Sequence, residues 1–347
     1  MPRTRHAGLV LRGAFFVRGT VRETVYAGGM QRLASAIALV SALVACSHVE
    51  RQTDDVSPTC SVWVLGTAQD GGVPHVGCQK ACCTDARREG LARYPACLGV
   101  VDREHGKTLL VEATPSIDAQ ITLLQEVTGL RGTGRNPVDA VLLTHAHIGH
   151  YAGLVHFGRE VASTKKLPVW VSERMAAFLR THGPWKQLVE LEQIELHTIR
   201  LGDEFRPLPA IRVRAIPVPH RDEYSDTMAF QISGPNRTVL FVPDIDRWDD
   251  DHDERRLDRL LDSVDVAYLD GTFWDGSELP GRDLAEIPHP LITATMLRLA
   301  DRARHMPGSL RFLHLNHTNP LWREPALQRR LEEAGFGLAR RGEQVDL

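Results

Sequence analysis

The sequence predicts an α/β fold, a single domain whose sheets are covered by helices, and three observations carry that expectation. Short apolar runs rich in β-branched residues alternate with amphipathic stretches from residue 59 to residue 347, the mixture of period-2 and period-3.6 patterns that strands and surface helices leave. No long Gly/Ser-rich or Pro-rich linker interrupts them and no internal repeat is visible, so one layered core is the simplest arrangement. The composition is ordinary for a folded chain, with 43% hydrophobic and 24% charged residues among 347, which excludes a disordered protein. The formal net charge is −3, from 41 Lys plus Arg against 44 Asp plus Glu. That balance leaves no basic excess to neutralise a phosphate backbone, so no nucleic-acid partner is expected. Sixteen His and six Cys point instead to metal chemistry.

The N-terminal segment follows other rules. Met30-Gln31-Arg32 supplies a short positive region, Leu33 to Val44 an apolar core, and Leu43-Val44-Ala45-Cys46 a run of small residues before a cysteine. The apolar run is shorter than the roughly 20 residues a membrane-spanning helix needs. The pattern resembles a bacterial lipoprotein signal, which implies that Cys46 is lipidated and anchors an exported protein to a membrane. Ser47 stands where that resemblance associates Asp with inner-membrane retention, so the implied location is the periplasmic face of the outer membrane. Residues 1–29 are then expected to be an extension upstream of the true start at Met30, 30–45 the signal peptide, 46–58 a lipidated polar tether, and 59–347 the catalytic body.

In that body the expected strands are Ser61–Leu65, Leu98–Asp102, Thr108–Glu112, Val138–Leu143, Val169–Val171, Ile211–Val218, Met228–Ile232, Thr238–Val242, Val266–Asp270 and Arg311–Leu315. Each is a short apolar run bounded by turn-forming residues. The expected helices are Ser116–Thr128, Ala152–Val161, Ser172–His182, Glu254–Val264, Leu291–Arg304 and Glu324–Ala334. Ser116 and Ser172 stand as N-caps, where a hydroxyl can accept a bond from a free helical N–H.

The strand ending at Leu143 runs into Thr144-His145-Ala146-His147-Ile148-Gly149-His150. His145 and His147 share a face of an extended segment, and His150 enters from the following turn, which Gly149 relaxes. A lone His is usually a surface or satisfied core residue. Imidazoles gathered at this spacing gain little from each other without a metal between them.

This cluster resembles the H-x-H-x-D-H motif of the metallo-β-lactamase superfamily. Three later segments fit the order that family requires: Pro217-Val218-Pro219-His220, Phe241-Val242-Pro243-Asp244 and Phe312-Leu313-His314-Leu315-Asn316-His317. The resemblance implies an αββα sandwich. It also implies a first metal held by His145, His147, His220 and Asp244, with Asp244 bridging to a second metal at His150 and His314. One position departs from the motif, because Gly149 replaces its Asp. A missing carboxylate removes both a charge and a bond, so the second metal is expected to be weakened or absent. Asp246 and Asp222 are the nearby acids able to substitute. One or two divalent ions, Zn, Mn or Fe, are the expected catalytic cofactors.

A second site is suggested by Gly66-Thr67-Ala68-Gln69-Asp70-Gly71-Gly72, a Gly-rich loop leading to His75, Cys78, Cys82 and Cys83. It lacks the G-K-[ST] ending of a phosphate loop. Clustered thiols suit a structural zinc whose fourth ligand comes from elsewhere in the chain. The alternative is a mixture of disulfide and free thiols, which an oxidising exported compartment would favour.

Together with Leu269-Asp270-Gly271-Thr272-Phe273-Trp274, Pro288-His289-Pro290 and His314-Leu315-Asn316-His317-Thr318-Asn319-Pro320, these cysteines resemble the pyrroloquinoline quinone biosynthesis protein B group. They are similar, more loosely, to the cyclic phosphodiesterase of phosphonate breakdown. The latter resemblance implies that His314 serves the catalytic centre and His317 completes the zinc site with Cys78, Cys82 and Cys83. His289 is the competing fourth ligand. The quinone group departs from a full first-site histidine set, which this chain retains.

A metal held by His145, His147, His220 and Asp244 lowers the pKa of bound water and polarises a substrate oxygen. Asp244 and His220 are the expected catalytic residues, and no Gly-x-Ser-x-Gly elbow offers a serine nucleophile. The expected function is metal-dependent hydrolysis of a small ester, phosphodiester or lactone. The alternatives are an iron-dependent oxidase or oxygenase and a tethered, non-catalytic binding protein. Arg221 is either an anchor for an anionic substrate or a solvated surface residue. Phe273 and Trp274 either line the pocket or pack.

Overall fold

The computed structural model describes residues 59–247 and 251–347, all within one unit, Asp55–Leu347. The expected extension at 1–29, signal at 30–45, lipidated Cys46 and tether at 46–58 lie outside the described residues. Among the described residues no helix is long and apolar enough to cross a membrane.

In chain order the strands are β1 (Cys60–Gly66), β2 (Cys97–Asp102), β3 (Lys107–Val111), β4 (Ala140–Leu142), β5 (Leu167–Ser172), β6 (Ile194–Ile199), β7 (Glu204–Leu208), β8 (Ile211–Pro217), β9 (Met228–Ser233), β10 (Thr238–Val242), β11 (Val266–Asp270), β12 (Leu310–Leu313), β13 (Gly337–Leu338) and β14 (Gln344–Asp346). They form two mixed sheets, ordered β14-β1-β2-β3-β4-β5-β6 and β13-β12-β11-β10-β9-β8-β7. Each sheet has an antiparallel half and a parallel half. Val100 pairs antiparallel with Leu109, while Leu110 runs parallel beside Val141 and Phe241 beside Tyr268.

The alternation of apolar side chains along each strand explains the layering. Val62, Val64, Val100, Leu109, Val111 and Leu142 of the first sheet meet Val213, Phe230, Ile232, Phe241 and Tyr268 of the second in one core. The other face of the first sheet, with Leu110, Val141 and Leu143, is covered by Ile117, Leu124, Met175 and Leu179 from helices Ile117–Thr128 and Glu173–Thr181. The other face of the second sheet, with Leu240, Leu269 and Phe312, is covered by Leu257, Leu261, Ile292 and Leu331. The product is the expected αββα sandwich, in which strands buried on both faces read as continuous apolar runs.

Several elements differ from expectation. Ser172 caps its helix by accepting from the Met175 N–H at 3.1 Å, whereas the Ser116 side chain makes no cap bond. The Ser116 N–H instead donates to Thr114 Oγ1 at 3.1 Å. The helix expected at Ala152–Val161 is one short turn, Ile148–Tyr151, followed by a 3₁₀ segment that stops at Phe157. Leu291–Arg304 divides into Ile292–Arg298 and Ala300–His305. β6, β7, β13 and β14 were not expected. Ile194–Ile199 and Glu204–Leu208 lie at sheet edges and alternate weakly in burial, so their sequences carry little apolar signal.

Candidate metal centre

The strands deliver their side chains to one edge of the sandwich. Asp70 follows β1, Glu112 follows β3, His145, His147 and His150 follow β4, His220 follows β8, Asp244 follows β10, Asp270 ends β11 and His314 follows β12. Those after β3, β4, β10 and β12 and at the end of β11 stand at the carboxyl ends of parallel strands, the usual place for ligands in open α/β sheets. Glu112 and His314 adopt positive φ, 79° and 63°, a conformation uncommon outside glycine that clusters at functional sites.

One oxygen lies at the focus. Asp244 Oδ2 is 3.2 Å from His220 Nε2, 3.4 Å from His145 Nε2, 3.7 Å from His150 Nε2, 3.9 Å from His314 Nε2 and 4.0 Å from His147 Nδ1. His145, His150, His314 and Asp244 are almost wholly buried. His147, at 14% side-chain exposure, marks the open side.

The far nitrogen of each imidazole faces an oxygen. His145 Nδ1 is 2.8 Å from Thr144 Oγ1, whose hydroxyl donates to Glu112 Oε1 at 2.5 Å. His150 Nδ1 is 3.3 Å from the same Glu112 Oε1. His220 Nδ1 meets Asp246 Oδ1 at 2.8 Å, His147 Nε2 meets Glu223 Oε2 at 3.1 Å, and His314 Nδ1 meets Thr272 Oγ1 at 3.0 Å. Thr272 in turn donates to Asp270 Oδ1 at 2.6 Å. These outward contacts turn the other nitrogen of His145, His147, His220 and His314 inward, where His220 Nε2 and His147 Nδ1 approach each other at 3.1 Å.

Burial alone would lift the Asp244 carboxyl, but the surrounding imidazoles hold it well below the ordinary carboxylate range. Burial, reinforced by His150, drives His145 well below its usual value, which keeps that ring neutral and its lone pair available. The inward atoms His145 Nε2, His150 Nε2, His314 Nε2, Asp244 Oδ1 and Asp70 Oδ1 are buried without a hydrogen-bond partner. Buried polar atoms are rarely left so. Imidazoles and carboxylates converging in this way are a donor set that fits divalent transition metals.

The residues expected at the first metal, His145, His147, His220 and Asp244, have ligand atoms within 4.8 Å of one another. Around the second position the arrangement differs from expectation. Asp246 orients His220, and Asp222 pairs with Arg174 at 2.9 Å on the surface. Neither faces His150. Asp70, which sequence reasoning left unassigned within the Gly-rich loop, does, with its Oδ1 3.2 Å from His150 Nε2 and 3.7 Å from His314 Nε2.

His289 was expected only as a competing zinc ligand. It lies here instead, with Nδ1 2.8 Å from Asp270 Oδ2 and 3.3 Å from Asp244 Oδ1. Burial opposes its charge, yet Asp270 and Asp244 raise its pKa to about 9. Phe273 sits edge-on to His289 with ring centres 5.8 Å apart, and both Phe273 and Trp274 are buried. Arg221 is half exposed, with Glu223 Oε1 3.9 Å from its guanidinium. The loop carrying it is pinned to the histidine segment, because the Ala146 N–H donates to Ser225 Oγ at 2.8 Å.

Cys78, Cys82, Cys83 and His317 form a separate group whose ligand atoms also lie within 4.8 Å. The Cys82 and Cys83 sulfurs are 3.9 Å apart, and all the described cysteines are unbridged. Burial, with His75 and Lys80 adding to it, lowers the His317 pKa to about 4, so its lone pair is free at neutral pH. The helix Ala81–Glu89 presents Cys82 and Cys83, and the His75 ring lies against His317 with ring centres 4.5 Å apart and planes tilted by 31°.

Residues 107–315 match the family model of the beta-lactamase superfamily domain. The chain is similar to the Coenzyme PQQ synthesis protein B of Rhizobium meliloti (strain 1021), at 26% identity over 317 residues covering 82% of this chain and 97% of that one. It is likewise 27% identical over 304 residues to the Coenzyme PQQ synthesis protein B of Methylobacterium sp. (strain 4-46), covering 80% and 97%. In fold it resembles Zn(2+)-bound PqqB from Methylobacterium extorquens, with TM-score 0.68 at 22% identity over 83% of this chain and 100% of that one. It also resembles a diphosphatase from the PhnP family, with TM-score 0.59 at 20% identity over 82% and 96%.

Proposed function

Because the chain belongs to the beta-lactamase superfamily, we propose that it is a metal-dependent hydrolase acting on a small ester, phosphodiester or lactone. The observation that carries this reading is the ring of imidazole nitrogens around Asp244 Oδ2, each with its other nitrogen tied to an oxygen. His145, His147, His220 and Asp244 would hold the first ion, and a divalent ion there supplies Lewis acidity and acidifies water. The chain's own groups do the rest. Asp244 Oδ1 accepts and orients a proton on the attacking water. The Asp270–His289 pair, with His289 Nδ1 2.8 Å from Asp270 Oδ2 and 3.3 Å from Asp244 Oδ1, would serve as the proton donor to the leaving group. The open side at His147 and Glu223 admits the substrate, and Arg221 on the same loop suits an anionic one. Cys78, Cys82, Cys83 and His317 would hold a structural zinc.

A second reading, a step in quinone cofactor synthesis, is favoured by the likeness that spans 97% of the relative from Rhizobium meliloti. Residues 59–347 would carry the activity, and lipidation at Cys46 would hold them at the periplasmic face of the outer membrane. Palmitate labelling that persists in Cys46→Ala would refute that anchorage.

The test of the hydrolase is turnover of phosphodiester, ester and lactone panels by the purified full chain. Chelator and His147→Ala should each abolish it, and added divalent metal should restore the wild type. Oxygen uptake by the ferrous protein, with no chelator-sensitive hydrolysis in any panel, would favour the quinone reading instead.

A further inference from the structure

We infer that Asp70 supplies the second metal position with the carboxylate that the histidine motif lacks, and that residue 149 is glycine because Asp70 occupies its side-chain space. The inference rests on the metallohydrolase reading and specifies which residues complete its centre.

The steric observation is direct. A Cβ built on Gly149 would lie 2.1 Å from Asp70 Oδ1, 2.4 Å from Asp70 Cα and 2.7 Å from Asp70 Cγ. Real Cβ atoms do not approach so closely, and the nearest obstacle includes backbone, which cannot swing aside as a side-chain tip could. Any side chain at 149 and the present placement of Asp70 therefore exclude each other. The missing motif carboxylate and the intruding one are two aspects of one packing arrangement.

The chemical observation is independent. Asp70 Oδ1, His150 Nε2 and His314 Nε2 form a group with ligand atoms within 4.8 Å. All three atoms are buried and have no hydrogen-bond partner. His150 Nε2 and His314 Nε2 also lie 3.7 and 3.9 Å from Asp244 Oδ2. Two imidazoles and the Asp70 carboxylate thus form one group, with Asp244 Oδ2 within 3.9 Å of both imidazoles, a donor set suited to a divalent ion. The loop bearing Asp70 is held in register for this. The Gln69 N–H donates to Leu315 O and the Gly72 N–H to Gln69 O, at 2.9 and 2.7 Å. Ala68 bridges to both Pro95 and Leu315. Gln69, the neighbour of Asp70, is therefore tied by a backbone bond to the residue that follows His314.

The experiment measures metal content and affinity in the full chain, stripped with chelator and dialysed against Zn²⁺ or Mn²⁺. Wild type should take up two ions at the centre besides any in the cysteine site, which Cys83→Ala identifies. Asp70→Ala and the near-isosteric Asp70→Asn should each lose one central ion, with affinity for it reduced roughly 100-fold or more. They should keep the ion that His145→Ala removes. Circular dichroism confirms that each variant is folded. Two tightly held central ions in Asp70→Ala or Asp70→Asn, or one in wild type, would overturn the role of Asp70 and leave the hydrolase reading standing. No central ion in any folded form would overturn both.

Discussion

Replacing Glu112 by Gln is expected to destabilise the domain by about 2 kcal/mol and to weaken metal binding roughly 10- to 100-fold. Glu112 is fully buried, and three donors address its two oxygens. Oε1 accepts from the Thr144 hydroxyl at 2.5 Å and faces His150 Nδ1 at 3.3 Å, while Oε2 accepts from the Thr144 N–H at 3.3 Å. An amide has one acceptor end, so either orientation fails somewhere. With its oxygen at the Oε1 position, its NH₂ opposes the Thr144 N–H, and a buried donor goes unpaired at a cost of about 1–3 kcal/mol. With its NH₂ at that position, the Thr144 hydroxyl must accept, and its own proton turns to His145 Nδ1, 2.8 Å away. His145 must then carry its proton on Nε2, the atom that faces Asp244, and one inward lone pair is lost. The assay is urea unfolding with and without chelator, alongside metal titration of the stripped protein. A Glu112→Gln protein that unfolds within about 0.5 kcal/mol of wild type and binds metal as tightly would refute this account of the network.

Three further outcomes are expected. His317→Ala and Cys83→Ser should each lower the zinc content of the full chain by one equivalent while the ions at the Asp244 centre remain; unchanged zinc by elemental analysis would place the structural site elsewhere. In the metal-stripped protein, His289 has its pKa raised from 6.5 to about 9 by Asp270 and Asp244 against the effect of burial. Its stabilising contribution is therefore full below pH 6.5 and is lost as pH rises through 9, up to roughly 3 kcal/mol from the size of the shift. The stability gap between wild type and His289→Gln should narrow across that window, and a gap constant from pH 6 to 10 would contradict the assignment. Gly66→Ala puts a Cβ 1.9 Å from the carbonyl oxygen of Pro95 and 2.6 Å from Gln120 Nε2, so the backbone must shift at a cost of about 1–3 kcal/mol, readable as a lower urea midpoint.

How much of this was legible in the sequence depends on whether a residue's neighbours in space are also neighbours in the chain. The segment from His145 to His150 declares itself because strand geometry brings nearby residues to one point, and His220, Asp244 and His314 each close an apolar strand. Asp70 did not declare itself. Its partner position is Gly149, in the short helical turn after β4, and the two meet only because β1 and β4 sit in one sheet with β2 and β3 between them. The available signal was a matched pair, an acid before Gly71-Gly72 and a glycine in place of the motif Asp. The pairing of His289 with Asp270 was hidden for the same reason, since the loop from β11 to Ile292 folds back over its own origin. The break near Leu299 escaped because Leu291–Arg304 is continuous in helical period and contains neither Gly nor Pro.

The centre draws its groups from both halves of the sandwich. Asp70, His145, His147 and His150 belong to loops of the first sheet, and His220, Asp244 and His314 to loops of the second. Ions held there would act as rivets along one rim, joining two plates whose shared core is the greasy contact between Val62, Leu109, Phe230 and Phe241 and their neighbours. Stripping them should let that rim gape before any strand melts. Amide protons near Leu142 and Val242 would then exchange with solvent sooner than those at the opposite ends of the same strands.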